Sequence, residues 1–98
     1  MPQYGIIYIA QNRKLGDNVF KVGRSEFSID EKLEELNGST ENGKYESVAF
    51  FVVSDIISAD ESCQENLASY KGKDPGLFEL EFAELMSVVN ETIAPYKA

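Results

Sequence analysis

Residues Tyr4 to Ala10 read Tyr-Gly-Ile-Ile-Tyr-Ile-Ala, and residues Val19 to Val22 read Val-Phe-Lys-Val ahead of Gly23. The first run is short and rich in β-branched and aromatic side chains, as a buried strand requires. The second is a strand that Gly23 is expected to stop. Between them lies the polar segment Gln-Asn-Arg-Lys-Leu-Gly-Asp-Asn, residues 11–18, with turn residues at Gly16, Asp17 and Asn18. Two strands joined this way are expected to be antiparallel neighbours, with a connection too long for a tight turn.

Working outward, Ser28-Ile29-Asp30-Glu31 has the form of a capping box, with the Ser28 hydroxyl and the Glu31 amide three residues apart. Ile29, Leu33 and Leu36 then recur at helical spacing, and Asn37-Gly38 ends the run. Ser39 to Lys44 is a polar loop. Ser47 to Ser54, Ser-Val-Ala-Phe-Phe-Val-Val-Ser, is almost continuously apolar and is expected to be a central strand of the same sheet, covered on both faces. Ser58-Ala59-Asp60-Glu61 reads as a second capping box, followed by Ala59, Cys63, Leu67 and Tyr70 at helical spacing. Lys71 to Gly76 breaks the chain. Leu77 to Phe82 alternates, with Phe78, Leu80 and Phe82 on one side. A last helix from about Ala83 carries Leu85, Val88, Val89 and Ile93, and Pro95 ends it. The expected fold is α/β, one domain over residues 1–98: a small central sheet, mixed or antiparallel, flanked by helices.

Composition narrows the chemistry. The 98 residues include no histidine and a single cysteine, Cys63. Zinc sites of the Cys/His kind and Ser-His-Asp or Cys-His nucleophiles are thereby excluded. Any metal has to be a hard cation held by oxygen ligands. Cys63 falls in the apolar row of its helix, where a thiol is a small hydrophobe. There are 9 basic and 17 acidic residues, a net charge of −8. Three of the basic residues but nine of the acidic ones lie after position 50. Binding to a polyanion is driven by cations that neutralise phosphates, so contact with nucleic acid is confined to a local basic patch. No apolar run is long enough to span a membrane. The first residues lack a basic stretch ahead of an apolar one, so no secretory leader is read and a cytoplasmic location is expected.

Two segments carry a family resemblance when taken together. Ile7-Tyr8 resembles the Gly-Ile-Tyr motif of the GIY-YIG nuclease superfamily. Lys21-Val22-Gly23-Arg24-Ser25 resembles its second motif as found in the phage-and-virus branch. Lys32-Leu33-Glu34-Glu35-Leu36-Asn37 with Thr40, and Phe78-Glu79-Leu80, are similar to later segments of that branch. The resemblance implies a β-β-α-β-α-α order. It also implies a phosphodiester-cleaving site in which a tyrosine activates water or attacks, a helix cation stabilises the phosphate, and a glutamate on a later helix holds one divalent metal.

Carried over residue by residue, the catalytic candidates are Tyr8, Lys21 and Lys32. Gly23, Arg24 and Ser25 are candidates for phosphate binding, and Glu61 and Glu65 for the metal. Lys32 stands in place of an arginine and so lacks the bidentate fork. Gln64 occupies the position expected of the metal-binding glutamate. On these residues the chain is expected to be a diverged member, weak or inert in catalysis, that binds DNA or a protein. The alternative is an active endonuclease with Mg²⁺ or Mn²⁺. Apart from the resemblance, Glu34, Glu35, Glu61 and Glu65 read simply as a solvated acidic face.

Overall fold

The computed structural model describes residues 3–26, 28–38, 45–72 and 76–97. The expected polar loop 39–44 with Thr40, and residues Lys73, Asp74 and Pro75 of the later break, lie outside the described residues. The elements in chain order are β1 (Gly5–Gln11), β2 (Val19–Ser25), α1 (Ile29–Asn37), β3 (Glu46–Val53), α2 (Ile56–Asn66), β4 (Leu77–Glu79) and α3 (Phe82–Ile93). A short 3-10 turn, Arg13–Leu15, sits between β1 and β2, where Asn12 caps it by accepting from the Lys14 amide at 3.1 Å.

The four strands form one antiparallel sheet in the order β3-β1-β2-β4. The expected α/β class is therefore what is seen, with the sheet antiparallel rather than mixed. β1 is the strand buried on both faces. Ile7 and Ile9 point to one side, where Phe20, Val22, Val53, α2 and α3 form the larger core. Ile6, Tyr8 and Ala10 point to the other, under Ile29, Leu33 and Leu36 of α1. Phe78, Leu67, Leu85 and Ile93 are fully buried in the larger core. Each such side chain contributes roughly 1.5–3 kcal/mol by leaving water.

Four expectations are corrected. First, Ser47 to Ser54 does not become a central strand: β3 is at the sheet edge, with Phe50 and Val52 exposed. A continuous apolar run reads the same whether or not a second strand pairs with its outer side. Second, β2 is not stopped at Gly23 but continues to Ser25, because β1 offers a partner along its whole length: Tyr8 faces Gly23 and Ile6 faces Ser25. Third, the cap of α2 is Asp55, whose carboxylate accepts from the Ser58 amide at 3.2 Å, so the helix begins ahead of the expected box. Fourth, the alternation from Leu77 to Phe82 is strand only as far as Glu79. Phe82 opens α3 and leans its ring on Phe20, with centroids 5.7 Å apart. By contrast, Ser28 caps α1 as expected, accepting from the Glu31 amide at 3.3 Å.

Candidate functional site

The register between β1 and β2 sets Tyr8 directly across from Gly23. The tyrosine ring then lies flat over the glycine: a Cβ at position 23 would stand 2.7 Å from the Tyr8 hydroxyl oxygen. A side chain there and this ring cannot coexist without movement, which gives Gly23 a local structural reason. α1 closes over the same ring, and Lys32 Nζ sits 5.8 Å from its centroid, within cation–π range. Tyr8 is left only 2 % exposed.

Burial is the largest cause pushing the Tyr8 phenol up to about 12, with the negative charges of Asp60 and Glu35 adding to it. The hydroxyl is therefore neutral at ordinary pH, despite Lys32 over the ring.

Next to this buried ring is an open cleft of about 220 Å³, lined by Arg24, Ser25, Glu26, Lys32, Glu35 and Ile57 among others. β2 delivers Arg24 and Ser25 at its end, α1 delivers Lys32 and Glu35, and the start of α2 supplies the apolar wall. A Cβ at Gly5 would stand 2.5 Å from the Ser25 carbonyl oxygen, so β1 meets this corner with no room for a side chain. The volume admits a phosphate-sized anion. Both cations are already engaged, however. The Arg24 guanidinium donates to Asp60 at 3.3 Å, and Lys32 donates to Glu35 at 3.4 Å. These pairs are partly open to solvent, so each is worth at most about 1 kcal/mol and an anion could displace either.

The other site residues expected from sequence are placed as follows. Lys21 sits on β2 two residues before Gly23, with its Nζ 3.5 Å from where a Cβ of Gly76 would stand; it does not line the cleft. Glu61 and Glu65 are both exposed on α2. Gln64, between them, donates from one amide nitrogen to the Val22 carbonyl at 3.0 Å and to Asp60 at 3.2 Å. A carboxylate has no proton to donate to either, so glutamine here ties α2 to β2, a task glutamate cannot perform. No group of three acidic, cysteine or histidine side chains gathers closely enough to hold a metal among the described residues. The resemblance implied a metal held by a single carboxylate, and the position expected of it holds the neutral amide of Gln64, already tied to Val22 and Asp60.

Sequence reasoning passed over Asp60, which it treated only as part of a cap. Asp60 is the hub of the corner: it holds Arg24, accepts from Gln64, and raises both Tyr8 and Cys63. The four-residue spacing of Asp60 and Gln64 on one helix side was the available signal.

A family model matches residues 5–93, which is nearly the whole chain. The chain belongs to the T5orf172 domain family. This is a nuclease-like family, and the membership corrects the GIY-YIG assignment, for which no family model matches. The quoted motifs were short strand pieces whose residues have local reasons to be there: Ile7 and Tyr8 fill the two faces of β1, and Gly23 makes room for Tyr8. Pieces of that length do not separate one family from another, whereas a match over residues 5–93 does. No curated protein and no solved structure matches this chain. No helix among the described residues is long and apolar enough to cross a membrane.

Proposed function

We propose that this T5orf172 domain is a nuclease-like binding module that engages one or two nucleic-acid phosphates in the cleft of Arg24, Ser25 and Lys32, with little or no cleavage. The observation that carries the reading is the paired state of the two cations, Arg24 with Asp60 and Lys32 with Glu35, beside a tyrosine that is buried and neutral. A phosphate entering the cleft exchanges places with a carboxylate, which allows weak, displaceable binding. A buried phenol with its proton held to about pH 12 is a poor nucleophile or base at neutral pH. The net charge of −8 further limits contact to this local patch.

The test is fluorescence anisotropy of a labelled single-stranded oligonucleotide with the purified chain across a salt series. Two engaged phosphates on a single strand give a slope of log affinity against log salt of about −1.4. Arg24→Ala and Lys32→Ala should each weaken binding and make the slope shallower. Binding that is absent at low salt, or unchanged in both variants, removes the reading.

A second reading, an active metal-dependent endonuclease, is favoured by one observation: Lys32 is brought directly over the Tyr8 ring. Plasmid nicking with magnesium or manganese decides between them. Strong nicking that disappears in Tyr8→Phe establishes the second reading and ends the first.

A further inference from the structure

β3 is an edge strand whose inner side pairs with β1. Among the described residues its outer side is met only at the Val53 end, where Lys97 forms an antiparallel bridge and the Ser54 amide donates to the Tyr96 carbonyl at 2.7 Å. Along residues 46–52 the outer backbone has no strand partner among the described residues. An open edge of this length is a template for another strand.

The side chains beside it are unusual for a solvent-facing edge. Phe50 and Val52, opposite Tyr8 and Ile6 in the register, are 50 % and 55 % exposed. Tyr4, in phase with them just ahead of β1, is 68 % exposed. Three large apolar groups thus stand on one side of an unpaired edge.

Apart from Lys97 at the Val53 end, the charged side chains that α1 and β3 place on this side among the described residues are acidic. Lys32 and Glu35 lie on the flank of α1 that borders the cleft. At about 100° per residue, Asp30, Glu34 and Asn37 fall on the opposite flank. Asn37 fixes that flank toward β3, because its side chain accepts from the Tyr45 amide at 2.7 Å and donates to the Tyr45 carbonyl at 3.2 Å, just ahead of the strand. Asp30 and Glu34 therefore lie on the flank of α1 that Asn37 turns toward β3, and Glu46 opens the strand itself. A second copy of this chain would set two such acidic borders against each other, each on a molecule of net charge −8.

We propose that the β3 edge is the docking site for an extended, cationic segment of a partner protein, with apolar side chains at alternate positions, that adds to the sheet as a further strand. Main-chain hydrogen bonds to β3 give the affinity. Apolar contacts with Phe50 and Val52 set the register, and lysine or arginine opposite Asp30 and Glu34 selects the partner.

The probe is a synthetic peptide of alternating lysine and valine, titrated into the ¹⁵N-labelled full chain and followed by amide shifts. The expected result is saturable shifts along residues 46–52. Affinity should weaken about tenfold in Phe50→Lys/Val52→Lys and, separately, in Asp30→Lys/Glu34→Lys. All four positions are solvent-facing, and unchanged far-ultraviolet dichroism establishes that each variant is folded; the helix pair keeps the test valid if the strand pair fails to fold. Three results overturn the proposal: shifts centred on the Arg24–Lys32 cleft, equal binding of an alternating glutamate–valine peptide, or a concentration-dependent dimer in sedimentation that Phe50→Lys/Val52→Lys abolishes.

Discussion

A methyl group added at Gly23 would stand 2.7 Å from Tyr8 Oη, 3.0 Å from Cζ and 3.1 Å from Cε2. Relief requires the ring to move, yet β1 fixes its base and α1 with Lys32 closes over its face. Forcing a carbon into a filled space of this kind costs about 1–3 kcal/mol. The backbone at Gly23 has no positive φ, so alanine there also recovers about 0.4–1 kcal/mol by restricting the unfolded chain. The balance is a loss of about 1–2 kcal/mol. For a chain of this length that lowers the melting temperature by roughly 5–15 °C.

Gly72→Ala is the control, since its nearest neighbour would be the Leu77 carbonyl at 3.4 Å, an ordinary contact. Thermal unfolding followed by circular dichroism reads both variants. In a double-mutant cycle, Gly23→Ala should cost less on a Tyr8→Phe background, because the closest atom is gone. A Gly23→Ala protein that melts at or above wild type would refute the idea that Tyr8 and Gly23 are an interlocked pair.

Other consequences are open to measurement. The Tyr8 phenol is raised from 10.0 to about 12, so the unfolded chain gives up this proton first as pH rises; the stability it confers is complete below pH 10 and is lost as pH climbs through 12. Two units correspond to about 2.7 kcal/mol, and alkaline melts of Tyr8→Phe should show a visibly flatter decline over that window. Burial likewise pushes the Cys63 thiol up to about 12, so iodoacetamide at pH 8 should leave the folded chain unlabelled and modify it only after denaturant is added; native-state labelling at the rate of a free thiol contradicts the buried placement. Asp55→Ala should lower the unfolding midpoint by removing the cap of α2, while Ser58→Ala, which keeps the amide Asp55 accepts from and removes only the hydroxyl, should lower it clearly less; equal losses would return the cap to Ser58. The amide of Ser58 also holds the Asp55 carboxyl below its usual 3.8, so the contribution of this cap persists above that pH and fades as acid titrates the folded group.

Local chemistry was legible from sequence wherever the cause was itself local. The Ser28 cap and the Ile29, Leu33, Leu36 stripe required only helical spacing, and both stand as read. The β1–β2 pairing followed from two apolar runs and a polar connection of suitable length.

What failed needed information held by distant residues. Tyr4 to Ala10 and Ser47 to Ser54 are equally apolar runs, yet β1 is central and β3 is at the edge, because which strand gains a second neighbour depends on where β2 and β4 return. Gln64 looked like a lost metal ligand until Val22, forty-two residues away, supplied the carbonyl it binds. Asp60 gained its role only when β2 brought Arg24 to it across thirty-six residues. The sequence by itself determined the elements, their class and the Ser28 cap of α1, since those depend on neighbours within a turn or two of chain. Strand order, the pairing of Arg24 with Asp60 and the exposed face of β3 were decided by the tertiary structure, because each depends on which surfaces meet after the chain has folded back on itself, whereas Lys32 and Glu35 pair within one turn of α1.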